Sequence, residues 1–280
     1  MIFFIVFITT IVYVYGKASG SGLSIVGFAL IFSGLMSFGS YYYSDKVILA
    51  MSNARQIQKK DNPQFFRIVE NLCIGSGLKM PKIYLIKDSA PNAFATGRDP
   101  KHAVICATTG ILEKLNKIEL EGVVAHELSH IKNYDIRLMA VIVILVGLVA
   151  LMADFFMRSL WFGRRSNDRQ GNAQGIFLLV GVAFAILSPI IATLIQLAVS
   201  RKREYLADAS GALLTRYPEG LASALEKISR DKEPLEAANN ATAHLYIASP
   251  FKGKKTGNWF SGLFNTHPPI EERIKILRSM

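Results

Sequence analysis

Charged side chains are missing from four long stretches of the chain, at 1–16, 18–44, 138–153 and 170–200. The third is extended past Asp154 by Phe155, Phe156 and Met157, and the apolar part of the fourth covers 176–199. A helix that spans a bilayer needs roughly 20 apolar residues. Three runs reach that length, and the first is shorter but begins at Met1. This first run lacks a basic lead, and its small-residue junction near Ala18 is weak. It therefore predicts a retained anchor rather than a cleaved signal peptide. Pro189 lies inside the fourth run and predicts a kink there.

Between the runs the pattern changes period. Residues 63–77 alternate at helical spacing, with Phe66, Ile68, Val69 and Leu72 apolar, Asp61 or Asn62 as cap and Pro63 at the first helical position. Residues 82–86 read as a short strand on Ile83 and Leu85. Residues 92–96 and 103–107 flank a turn segment, Gly97 to Pro100, and read as a hairpin. Its exposed edge, at Asn92, Ala93 and Phe94, would suit an extended peptide bound by main-chain hydrogen bonds, although a purely structural hairpin has the same pattern. Leu120, Val123, Val124, Glu127 and Ile131 recur at three- and four-residue steps, so 118–131 reads as a helix. Residues 211–231 also read as helical. Residues 232–262 hold Pro, Gly, Asn and Lys without period and predict a long, mobile segment able to act as a lid. Two prolines start a terminal helix at 268–280.

The helix at 118–131 carries His126-Glu127-Leu128-Ser129-His130. Positions i and i+4 share a helix face, so both imidazoles can reach one metal ion. Glu127 lies about 100° further round, poorly placed to ligate but able to face the same cleft as a general base. Catalytic zinc takes three protein ligands and keeps one position open for water. The pattern therefore predicts a zinc hydrolase, a peptidase above all, with one Zn2+ per chain. Two surface histidines around a solvated Glu would share the motif, but Val124, Ala125, Leu128 and Ile131 surround it with apolar side chains.

The third ligand has to come from elsewhere. Glu204 and Asp208 form another i, i+4 pair on one helical face. Glu204 would complete a two-His, one-Glu set, and Asp208 would accept a hydrogen bond from the free ring N–H of His126. Taken alone, Glu204 reads equally well as a charge offset within the basic run at 201–203.

With these residues in hand the chain resembles the membrane zinc metalloproteases of the HtpX type. The matching segments are 126–130, Glu204 with Asp208, the run Asn92 to Gly97 resembling a substrate-edge strand, Met80 to Tyr84, and Thr266 to Ile274, with the four apolar runs in the same order. Tyr134 departs from the pattern, because a small or polar residue is more usual there. The resemblance implies a gluzincin-like integral membrane fold, mainly α with a small β-sheet (α+β) and about four transmembrane helices. It implies proteolytic quality control of misfolded membrane proteins in a bacterial or archaeal cytoplasmic membrane. It also implies a place near the cleft for His267, as oxyanion donor or as the cap before the two prolines. Tyr205 is a weaker oxyanion candidate. His102 and His244 read as structural and without partners.

Topology must agree with the metal. Two runs separate His130 from Glu204, so both residues can lie on one side of a membrane. The expected organisation is two transmembrane helices in 1–44, a first catalytic part in 45–135, a transmembrane hairpin in 136–200 and a second catalytic part in 201–280. Lys46, Lys132, Arg137 and Arg201 to Arg203 cluster beside the runs, which favours a cytoplasmic catalytic side. The basic loop at 158–170 is the exception to that rule. His130 is about 12 Å from the third run and Glu204 about 6 Å from the fourth if the links are helical, so the metal is expected close to the lipid surface.

The net charge of +11 is accompanied by no nucleic-acid motif, so the expected partners are a lipid bilayer and membrane-protein or unfolded polypeptides, not nucleic acid. Cys73 and Cys106 are too few for a disulfide framework and predict buried thiols. The competing readings are a CAAX prenyl-type endopeptidase, whose chains are longer, and a non-catalytic zinc-binding membrane adaptor.

Overall fold

The computed structural model describes residues 42–143, 201–238, 242, 245–248 and 268–280, together with positions 9, 27, 30, 31, 34, 35 and 39. The four apolar runs fall outside these residues, apart from single positions, 42–44 and 138–143. Among the described residues no helix is long and apolar enough to cross a membrane. The chain divides into two compact units, one of Met1–Tyr43 with Ile144–Thr193 and one of Ser44–Val143 with Leu194–Met280. All regular elements described below belong to the second.

That unit is mainly helical with a small mixed sheet. Helix α1 (Ser44–Met51) leads to strand β1 (Arg55–Gln56) and helix α2 (Pro63–Ser76). Asn62 caps α2 by accepting the Phe65 N–H, Pro63 takes the first turn, and Gly77 ends the helix at φ +71° with its N–H on the Cys73 carbonyl. The buried stripe is Phe65, Ile68, Val69 and Cys73, while Phe66 and Leu72 are only partly covered. Each fully buried large side chain contributes about 1.5–3 kcal/mol, which fixes the face that α2 presents.

Strands β2 (Lys82–Ile86), β3 (Ala93–Gly97) and β4 (Ala103–Thr108) complete a sheet in the order β1-β2-β4-β3. β2 and β4 are parallel, with Lys82 opposite Val104, and β3 runs antiparallel to β4, with Ala93 opposite Ala107. The expected hairpin is present, joined by a short 3-10 turn at Pro100–His102. His102 is not without a partner, as its sequence setting suggested: its Nδ1 lies 2.8 Å from Asp99, which caps that turn.

Helix α3 (Thr109–Lys114) follows, then α4 (Lys117–Lys132). Asn116 and Glu119 form a reciprocal capping box at the start of α4. From Glu119 to Ile131 almost every side chain of α4 is buried, because α2, β3, α5 and α6 all pack on it. Residues 135–143 are helical again.

The single helix expected over 211–231 is two. Helix α5 (Arg201–Thr215) stops at Arg216, which has φ +54°, and α6 (Pro218–Arg230) begins anew. Pro218 has no N–H to give and disfavours helical backbone in Tyr217 before it. Helix α7 (Ile270–Arg278) follows the two prolines and packs on α6 and α5. Cys73 and Cys106 are free, buried thiols.

Candidate metal centre

Helix α4 carries His126, Glu127 and His130, and α5 carries Glu204 and Asp208. The two helices approach closely because Gly211 on α5 has no side chain. A Cβ there would lie 3.1 Å from the His126 nitrogen. One and two turns earlier on α5, Asp208 and Glu204 face the histidines.

His126, His130 and Glu204 are all buried, and each offers a donor atom within 4.8 Å of the others. The two Nε2 atoms are 3.1 Å apart, and Glu204 lies 3.5 Å from that of His130 and 3.9 Å from that of His126. His126 Nδ1 is 2.9 Å from Asp208, and His130 Nδ1 is 3.0 Å from Asp135. Each ring thus faces a carboxylate through Nδ1, which leaves Nε2 as the atom that can ligate a metal once it is unprotonated. The two Nε2 atoms are close enough to share either a proton or a metal ion. Tetrahedral zinc at ordinary Zn–N distances would set the two nitrogens about 3.3 Å apart. The donor set thus fits a divalent cation with an open fourth position.

The electrostatics agree. Burial disfavours charge on His130, but Asp135, Glu204 and Glu127 outweigh it and raise the ring to about 9. Burial lowers His126, with Asp208 opposing. Burial also raises Glu127 to about 7, with His130 working against it and Glu204 adding to it. The Ala95 N–H of β3 faces this carboxylate and partly offsets the effect of burial. Asp208 goes the other way: burial is outweighed by His126 and by Arg273, and the carboxyl falls to about 2. A carboxylate poised near neutrality beside a cation site can take a proton from water and later return it.

Two groups at this centre were not picked out by sequence reading. Asp135 was passed over, yet it holds His130 and is itself held by the Arg203 guanidinium. Tyr134 before it has φ +61°, a left-handed conformation in which Asn or Gly is more usual, and this turns the chain back toward His130. Arg273 is fully buried between Asp208 and Glu204. The available signal was its position: Ile270, Ile274 and Leu277 line the apolar stripe of α7, and Arg273 sits among them.

The expected substrate edge is not open along its whole length. β3 is an edge strand, but Asn92, Ala93 and Phe94 are all buried. Asn92 Nδ2 donates to the Ala248 carbonyl, Ile247 N–H donates to the Ala93 carbonyl, and Tyr246 packs edge-on against Phe94 with ring centres 5.1 Å apart. Residues 245–248, expected to be part of a mobile segment, thus cover this end of the strand. Their apolar run lets them bury against it. Asn92 and Ala93 lie at this covered end, whereas Ala95 faces Glu127. Tyr205 is half-buried beside Glu204. His267 and His244 lie outside the described residues.

Residues 59–280 match Peptidase family M48. The chain is 50% identical over 256 residues to a protein named Protease HtpX homolog from Dictyoglomus thermophilum, covering 91% of this chain and 81% of that one. It is 49% identical over 259 residues to a protein of the same name from Tropheryma whipplei strain Twist, covering 92% and 87%. Among solved structures it resembles that of S. mikatae Ste24p, with a TM-score of 0.53 and 16% identity over 96% of this chain and 62% of that one, a likeness of fold. By sequence, then, and with this cluster of donors at its heart, the chain belongs to peptidase family M48.

Proposed function

We propose that this metallopeptidase is a zinc-dependent integral membrane endopeptidase that cuts membrane-anchored or unfolded polypeptides at the cytoplasmic face of a cell membrane. The observation that carries the reading is the pair of imidazoles fixed through Nδ1, with both Nε2 atoms turned toward one buried carboxylate. His126, His130 and Glu204 would hold the metal. A zinc ion held there would supply Lewis acidity toward the scissile carbonyl and toward water.

The chain supplies the rest. Glu127, raised by burial into the neutral range and facing the Ala95 N–H, removes the proton from the attacking water. It then delivers that proton to the departing amine, so one group serves as base and acid. An extended substrate pairs with the β3 edge beyond the stretch that residues 245–248 cover. The four uncharged runs support membrane placement, with residues 45–135 and 201–280 on the same side. His130 and Glu204 lie only a few residues along the chain from the third and fourth runs, which favours substrates emerging from the bilayer, in keeping with quality control.

The likeness to Ste24p is one of fold and favours no prenylated substrate. A purely structural zinc site needs no buried base, so Glu127 speaks against a non-catalytic adaptor. The test uses the purified full chain in detergent, with zinc analysis and hydrolysis of a casein-type substrate. Glu127→Gln is expected to keep its zinc and lose cleavage by about 100-fold or more. Glu204→Gln is expected to lose zinc. Undiminished cleavage by the first variant would overturn the mechanism, and full zinc retention by the second would overturn the donor set.

A further inference from the structure

We propose that Arg273 is a positioning residue of this centre: its guanidinium fixes the Asp208 carboxylate that orients His126 and, with the same group, steadies the Glu204 carboxylate. The proposal rests on the metal-centre reading above.

The geometry is that of a fork. Nε donates to Asp208 Oδ2 at 2.8 Å and Nη2 donates to Asp208 Oδ1 at 2.7 Å. Two parallel bonds leave the carboxylate one orientation, which a single contact cannot do. The other oxygen-facing nitrogen, Nη1, is 3.3 Å from Glu204 Oε2 and donates to the Ile247 carbonyl at 3.4 Å. One side chain therefore touches the acid behind His126, the acid expected to ligate, and the segment lying on the β3 edge.

The burial calls for a reason. Arg273 is the largest side chain of those described that is completely covered. Taking a guanidinium out of water is costly unless every donor finds a partner. Helix α7 does not need it for docking. Leu277 is buried in the core, Ile270 and Ile274 pack against it, and Arg278 pairs at the surface with Glu219 and Glu226. An apolar residue at 273 would continue the stripe. The need lies instead across the interface, where Glu204 and Asp208 stand one helical turn apart as like charges. A cation between them lets both stay ionised and both point at the histidines. Without it, Asp208 can rotate away from His126 Nδ1, and that ring loses its fixed direction.

Lysine cannot replace this arrangement. It carries the charge but has one nitrogen where the guanidinium uses three, two of them in the fork. This separates positioning from bulk electrostatics. The experiment takes the full chain in detergent as wild type, Arg273→Lys and Arg273→Gln. Each is loaded with Co2+, and the visible d–d absorption is recorded, with melting curves and casein hydrolysis alongside. Both variants are expected to bind cobalt with an altered spectrum, because the donors remain but their geometry loosens. Both are expected to lose about 10–100-fold in kcat with KM within about threefold. The lysine variant should melt close to wild type, so its lost turnover is not lost fold.

A wild-type spectrum and near-wild-type kcat in Arg273→Lys would overturn the proposal, because the fork would then be dispensable. So would an activity loss in Arg273→Gln that merely follows its unfolded fraction while its cobalt spectrum stays unchanged. Failure of the wild-type chain to show any cobalt absorption would overturn the metal-centre reading itself, and this inference with it.

Discussion

Replacing Gly122 by alanine tests whether the backbone contact between α4 and α6 places His126. A Cβ at Gly122 would lie 2.6 Å from the Leu221 nitrogen, 2.8 Å from its Cα and 3.1 Å from the Gly220 carbonyl carbon. All three atoms are backbone, so no side chain can swing aside. Going from 2.6 Å to the 3.4 Å at which ordinary contact starts separates the helices locally by about 0.8 Å. Overpacking of this kind costs about 1–3 kcal/mol. Alanine gains back about 1 kcal/mol over glycine in a helix interior. The net expectation is a loss of about 0–2 kcal/mol, or up to roughly 8 °C in Tm for a chain of this size. His126 lies one turn further along α4, while Asp208 and Glu204 belong to a different helix. The ring is therefore expected to shift by several tenths of an ångström against its partners, with a fall in kcat of about tenfold or more. Gly75→Ala is the control. There the nearest atom is Leu214 Cδ1 at 3.5 Å, an ordinary contact, so stability should rise by a few tenths of a kcal/mol with activity unchanged. Melting curves and casein hydrolysis on the full chain in detergent measure both. If Gly122→Ala melts at or above wild type and keeps its kcat within twofold, the helix contact does not place the histidine.

Glu119 accepts from Ser223 at 2.7 Å, Lys227 at 2.8 Å and the Asn116 N–H at 2.9 Å, so burial is outweighed and its pKa falls below the usual value. A depressed pKa gives stability that is full above the unfolded value and is lost as pH falls through the folded one. Glu119→Gln should therefore cost about 1–3 kcal/mol at pH 7, with the gap to wild type closing below about pH 4.3, and a constant gap down to pH 3 would refute this. Asp135→Asn should reduce kcat by about 10–100-fold through His130 while Arg203→Gln has a smaller effect, and equal turnover in Asp135→Asn and wild type would show that His130 needs no anchor. Zinc retention against a fixed chelator should weaken as pH drops from 9 to 6, and a flat profile would contradict the charge state assigned to His130 and Glu127.

The part of the centre that sequence made legible is the part fixed by local geometry. His126 with His130, and Glu204 with Asp208, are both i, i+4 pairs, and a helix alone puts each pair on one face. Their meeting is long-range, but the need for a third donor pointed to Glu204. Asp135 and Arg273 depend on partners in other elements: Asp135 reaches Arg203, and Arg273 reaches back to Asp208. Nothing in a local window separates them from solvated charges, except that Arg273 interrupts an apolar stripe. The break at Pro218 was missed because the apolar period resumes on its far side. Leu245 to Ala248 were read with the irregular segment around them, although four apolar residues in a polar stretch need somewhere to bury.

The charge at the centre explains why such a cluster survives in a helical core. Four buried carboxylates, Glu127, Asp135, Glu204 and Asp208, face two guanidinium groups, Arg203 and Arg273. With neutral rings this leaves two negative charges uncompensated, which a low-dielectric interior does not tolerate. Without metal, protons can fill the deficit: His130 stays protonated and charged up to about 9, and Glu127 stays protonated and neutral up to about 7. A divalent cation carries the same two charges, and it can bind only as these protons leave. Metal and protons therefore compete for one electrostatic vacancy, and the base that catalysis needs is released in the same event that loads the site. The close α4–α5 contact at Gly211 holds the two carboxylates of α5 against the histidines of α4, so both take part in this linkage.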